Sequence, residues 1–307
     1  MSVPALDRFQ KLALFTLGLT VFLVGVGAYV RVSGSGMGCP DWPKCFGLLV
    51  PPTSAEQLPP GYDRALFDVT KTWTEYLNRL LGASVGLAIF ATLVAAVVMH
   101  RANRMVLGAS FVAFIAVGYA AWLGARVVAH NLAPWIVTAH LMSAVVVVTA
   151  LLFAVVFAFP ASSLPRQPRM GFAVGSALSL TLAQAALGTQ VRGTLEDVAR
   201  ADPRLPRGEW IEHVGFLDIA HRQLALMVLA VLIALLFSAW SRLRAYTVPL
   251  RALSVALGAS VLQIAAGVGL AYLALPKALQ IVHLELALIA VGALMVALVS
   301  YARGPRA

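Results

Sequence analysis

Charge and cysteine are what this sequence is short of. Asp, Glu, Lys and Arg make up 12% of its 307 residues, against 60% hydrophobic. A soluble domain of this length needs far more charge to cover its surface, and a mean hydropathy of +0.86 points to lipid instead. Acids are scarcer still, 13 against 23 bases, for a net charge of +10. There are two cysteines, Cys39 and Cys45, in Cys-Pro-Asp-Trp-Pro-Lys-Cys. With no third cysteine and no histidine nearby they cannot complete a four-ligand zinc site. A disulfide is the favoured reading, with two free thiols the alternative. Gly34, Gly36 and Gly38 lack the strand–helix setting of a nucleotide-binding fingerprint and predict only a tight loop. No signal or transit peptide is expected at the N-terminus.

What the sequence has in abundance is apolar runs near or above the roughly 20 residues that cross a bilayer. Eight spans are predicted, at 11–31, 76–99, 105–127, 135–159, 170–191, 217–240, 247–273 and 278–301. An α-helical bundle follows, because lipid offers backbone groups no partner outside their own segment. The short connections carry Arg101, Arg104, Arg166, Arg169, Arg242, Arg244 and Arg251, with Arg303 and Arg306 at the end. Those segments and the N-terminus contain one acid, Asp7. Two long loops on the other face, 32–74 and 193–216, balance their bases with acids. Basic residues in short loops mark the inner side, so both termini are expected in the cytoplasm of a bacterium and the chain in its plasma membrane. The surplus positive charge then faces an anionic leaflet rather than nucleic acid.

The chain repeats. Gly-Val-Gly-Ala-Tyr-Val-Arg (25–31) closes the first span and Ala-Leu-Gly-Thr-Gln-Val-Arg (186–192) the fifth. Glu75-Tyr-Leu-Asn78-Arg79 and Asp218-Ile-Ala-His221-Arg222 are expected to open the second and sixth. Gly124, Pro134 and His140 recur as Gly267, Pro276 and His283. With four spans per unit, both units lie the same way up, as pseudo-symmetric parallel repeats. The expected division is 1–160 and 161–307.

Histidines inside a bilayer are costly and mark function. His221 and His283, at similar depth on separate helices, suit a haem iron with two axial imidazoles, a site that moves electrons rather than binding oxygen. Arg222 suits a propionate, or snorkels to the interface. In the first unit Asn78 replaces one histidine, so His140 would hold a haem from one side, with Arg79 in the propionate role. Glu75, three residues before Asn78, shares its helix face. It is read either as a carboxylate for proton delivery or substrate steering, or as a helix N-terminal acid. His100 is expected at the membrane interface, and His130 and His213 in structural roles.

These residues resemble the haem A synthase family along nearly the whole chain. The resemblance rests on Arg31-Val-Ser-Gly-Ser-Gly-Met-Gly-Cys-Pro-Asp-Trp-Pro, Thr138-Ala-His140-Leu, Gly188-Thr-Gln-Val-Arg192, Ala220-His221-Arg222 and Gln280-Ile-Val-His283-Leu. It implies eight helices in two four-helix units, and a b-type haem in the second held by His221 and His283. It further implies a substrate haem in the first, with Glu75 as the functional glutamate. The implied reaction is oxidation of a ring methyl of haem O to a formyl group by successive hydroxylations and loss of water. A haem O synthase would deliver the substrate, and an unidentified donor the electrons. Asn78 departs from the family, whose members often have histidine there. A second cysteine pair, common between the fifth and sixth helices, is missing. Two rival classes use the same composition. A non-catalytic b-type cytochrome would need His221 and His283 but not Glu75, and a transporter would need helices broken at mid-membrane.

Overall fold

The computed structural model describes residues 5–161 and 163–305. The architecture is all-α. Among the described residues eight helices are each long and apolar enough to cross a membrane: α1 Arg8–Val32, α2 Val69–Met99, α3 Arg104–Ala129, α4 Pro134–Phe157, α5 Pro168–Ala201, α6 Phe216–Arg242, α7 Thr247–Tyr272 and α8 Lys277–Ala302. Their starts carry recognisable caps. Asp7 and Gln10 form a reciprocal capping box on α1, and Asp68 and Asn103 cap α2 and α3. Pro134 and Pro168 occupy the first turns of α4 and α5, where a missing N–H costs nothing.

All eight spans are found, but two helices overrun them. α2 starts at Val69, so Glu75 and Asn78 lie in its second and third turns rather than at its opening. The reading of Glu75 as a helix N-terminal acid therefore fails. Hydropathy marks the apolar slab, not the end of the helix. The polar turns of α2 are held by the 33–68 loop, whose Leu49 and Pro52 carbonyls accept from Tyr76 and Trp73. α5 continues to Ala201, so the first part of the expected 193–216 loop is helix, followed by a short 3-10 helix at Arg207–His213. At 1.5 Å per residue α5 is about 50 Å long, well beyond a hydrocarbon core of about 30 Å. Arg192–Glu196 and Arg200–Asp197 pairs support the protruding turns, and Val191 and Leu195 bury against Val214 and Leu275.

Two helical hairpins match residue for residue. The α3–α4 turn places Asn131 and Leu132 in the left-handed region, at φ 50° and 58°, and the α7–α8 turn does the same with Ala274 and Leu275, at 53° and 56°. In each, the second residue donates to a carbonyl five positions back, Leu132 to Val127 and Leu275 to Leu270.

The halves share one core. Val145 and Val148 of α4 bury with residues of α5 to α8, and α8 also packs on α1. Gly193 of α5 lies so close to Pro134 that a Cβ would stand 2.6 Å from the ring. Arg303, just past α8, donates to the Val156 and Phe159 carbonyls at the end of α4.

Candidate functional site

Three of the candidate histidines sit where the neighbouring helix carries a glycine. A Cβ on Gly124 would meet the His140 ring at 3.4 Å, one on Gly267 the His283 ring at 3.4 Å, and one on Gly188 the His221 ring at 3.0 Å. Each ring thus approaches its neighbouring helix at a position where a glycine leaves space. His140 and His283 are further oriented by Nδ1, which donates to the Ala120 carbonyl at 3.0 Å and the Gln263 carbonyl at 2.9 Å. That bond leaves Nε2 with its lone pair free for a metal.

The structure brings His221 and His283 together, with ring centres 6.4 Å apart and planes at 58°. Two imidazoles sharing one metal through bonds of about 2.0–2.1 Å, with each ring centre about 1.1 Å beyond its nitrogen, stand about 6.3 Å apart. The spacing fits an iron between them. Among the described residues no group of three or more His, Cys, Asp and Glu could hold a bare metal ion. The pair is a two-ligand clamp, to which a porphyrin would bring its four nitrogens.

His221 differs from the other two. The Gln184 side-chain amide nitrogen donates to the His221 carbonyl at 2.9 Å and stands 3.1 Å from Nδ1. The carbonyl fixes the amide's orientation, so the His221 ring faces a donor where His140 and His283 face acceptors. The Gln184 oxygen is buried without a partner.

In the first half the arrangement is more open. Gly27, the repeat counterpart of Gly188, has nothing within 4 Å of a built Cβ. The Asn78 side-chain oxygen is buried without a hydrogen bond.

Glu75 is buried at 4% exposure and fully engaged. It accepts from the Cys39 N–H at 2.9 Å and pairs with Arg79. Arg79 also donates to the carbonyls of Asp41, Lys44 and Cys39, at 2.7, 2.9 and 3.3 Å. The guanidinium expected to hold a propionate thus also braces the loop. Cys39 and Cys45 are bonded to each other, the expected disulfide, inside the small ring that Arg79 fills. Thr72 donates to the Gly38 carbonyl at 2.9 Å, so the ring sits directly on α2. Arg222 pairs with Asp218 at 2.8 Å and stays half-exposed. The remaining histidines have local partners: His100 Asp7, His130 Arg126, and His213 the Glu209 carbonyl.

Sequence reasoning missed three residues. Gln184 has Leu23 as its repeat counterpart, and a polar residue in the histidine-bearing unit alone was the available signal. Glu285 is an acid inside an apolar span, two residues beyond His283, which should itself have drawn notice. Its Oε1 is buried without a partner and fills the space a Cβ on Gly25 would occupy, 2.8 Å away. Glu196 joins Arg31 to Arg192, a contact between distant segments that no local pattern announces.

Comparison with known proteins places this geometry. A family model described as cytochrome oxidase assembly protein matches residues 10–295. A protein named heme A synthase, from Shewanella oneidensis, is 35% identical over 79 residues, 24% of this chain. The match spans 23% of that relative's length.

Proposed function

Because the chain belongs to the cytochrome oxidase assembly protein family whose model covers nearly all of it, we propose that it is a haem A synthase. It would oxidise a ring methyl of haem O to a formyl group, by successive hydroxylations and loss of water. The observation that carries this reading is the 6.4 Å separation of the His221 and His283 rings, in a family named for oxidase assembly. The two repeat units, 1–160 and 161–307, would serve as a substrate-haem unit and an electron-entry unit. His221 and His283 would hold a resident haem b, which when bound supplies one-electron redox chemistry.

The chain's own residues would orient and enclose. The backbone carbonyl of Gln263 holds His283 with Nε2 towards the metal site. His140, held likewise by Ala120, would bind the substrate haem on one side, with Asn78 opposite. Glu75 would hold the disulfide-bonded loop against α2 through the Cys39 N–H, close to the substrate unit, and steer protons or substrate there. Electrons would come from a separate donor, and haem O from a haem O synthase. The protein would lie in a bacterial plasma membrane with both termini cytoplasmic.

Haems extracted from a haem-O-producing host expressing the chain test the reading. Haem A is the expected product, and Glu75→Gln should lower its yield while leaving the spectrum of the His221–His283 haem intact. Haem O left unconverted beside an intact His221–His283 haem would overturn the synthase assignment and favour an electron-carrying cytochrome.

A further inference from the structure

At the end of the bundle that carries the long loops, two guanidinium groups share one carboxylate and a third lies near them. Arg31, closing α1, donates through Nε and Nη2 to both oxygens of Glu196, each at 2.9 Å. Arg192 of α5 pairs with the same carboxylate at 3.0 Å. Arg207, on the short 3-10 helix, lies within electrostatic range of Arg192, and its Nε is buried with no hydrogen-bond partner. Of the other acids in this region, Asp197 pairs with Arg200 and Asp218 with Arg222. Arg31 and Arg192 thus share one anion, with the Arg207 charge nearby. The side chains of Arg31, Arg192 and Glu196 are only 19%, 23% and 21% exposed, so water compensates little of the excess. Unmatched positive charge withheld from solvent is stabilised by an anionic ligand.

Position identifies the ligand. Gln184, Gly188 and Arg192 recur every four residues and line one face of α5. The His221 ring lies on Gly188, so Arg192 stands about 6 Å further along the axis on the same stripe. Leu23, Gly27 and Arg31 repeat that stripe on α1. Of the arginines first expected in this role, Arg79 also donates to three loop carbonyls and Arg222 is half-exposed.

We propose that Arg31, Arg192 and Arg207 form a carboxylate-binding site that takes the propionates of porphyrins seated in the two halves, with Glu196 as the internal competitor. The proposal rests on the haem reading above. Arginine suits it because its planar fork binds carboxylates in two-pronged fashion.

The test uses the full chain, produced in a haem-deficient host and placed in phosphatidylcholine nanodiscs. It is titrated with iron protoporphyrin IX and with its dimethyl ester, which lacks the two carboxylates. Binding is read from the Soret band that is lost in His221→Ala and His283→Ala. Wild type should bind the diacid about tenfold tighter than the diester, the size expected for charge-assisted hydrogen bonds. Arg192→Gln should remove most of that preference. Glu196→Gln, which keeps the side chain's shape, should enlarge it, so the proposal stays testable if the arginine variant folds poorly. An equal diacid-to-diester ratio in wild type and Glu196→Gln overturns the site. So does a ratio blind to these variants when phosphatidylglycerol retention falls in Arg192→Gln, for then the cluster binds lipid phosphate. A chain with no histidine-dependent Soret band for either porphyrin would instead overturn the haem reading itself.

Discussion

His140, His221 and His283 share a rule of placement, a ring beside a helical glycine, and differ in what holds the second nitrogen. Position 78 lacks the imidazole, with Gly27 open and the Asn78 oxygen unpartnered. A haem held by His140 alone should be high-spin when ferrous and bind carbon monoxide readily. Asn78→His should convert that centre to low-spin and suppress the carbon monoxide difference spectrum, leaving the His221–His283 haem as it was. Two low-spin centres and no carbon monoxide shift in wild type would mean that another side chain supplies the sixth ligand.

Among the elements, α2 and the loop preceding it act as one piece. Gly38 packs so tightly on α2 that a Cβ would stand 2.3 Å from the Lys71 carbonyl oxygen and 2.8 Å from the Thr72 nitrogen. Those are backbone atoms in a hydrogen-bonded helix and cannot yield as a side chain would. Gly38→Ala should therefore lift the disulfide ring off α2, breaking the Cys39–Glu75 and Arg79–carbonyl bonds together. The expected cost is about 2–4 kcal/mol, in the range of overpacking plus a lost buried polar network. Limited proteolysis within 33–68 should become faster while the His221–His283 spectrum survives. Unchanged proteolysis would show that the loop can dock without this contact.

The whole molecule is held at a seam between its halves, where polar groups are not all satisfied. Thr138 of α4 bonds Thr189 of α5 at 2.7 Å and accepts from Gln190 at 2.7 Å, a closed network. Glu285 of α8, facing Gly25 of α1, has no such partner on Oε1. A buried oxygen without a hydrogen bond costs about 1–3 kcal/mol, and the repeat counterpart of Glu285 is Met142. Glu285→Met should raise the thermal unfolding midpoint of the detergent-solubilised protein by a few degrees. A lower midpoint would reveal a partner for this carboxylate in the membrane.

The sequence by itself determined the helix count, the order of the spans and the recurrence of landmark residues, and it favoured the Cys39–Cys45 pairing that the structure shows. Each is a local or periodic property: an apolar run long enough for a bilayer, a motif repeated along the chain, two thiols six residues apart. It also marked every histidine that the fold places beside a helical glycine. Tertiary structure alone decided the rest. The chain pattern cannot say that α2 and α5 extend beyond the apolar slab, because those turns are stabilised by loop carbonyls and packing from distant segments. Nor can it say how the arginines divide their work. Arg79 and Arg222 each pair with an acid one turn back, yet Arg79 alone of the two also fills a disulfide ring. Arg31 and Arg192 lie 161 positions apart and meet on Glu196 because the fold brings the ends of α1 and α5 within reach of long side chains. Charge partners are chosen by distance in space, and in a bundle of long helices that distance is set by which helices pack together.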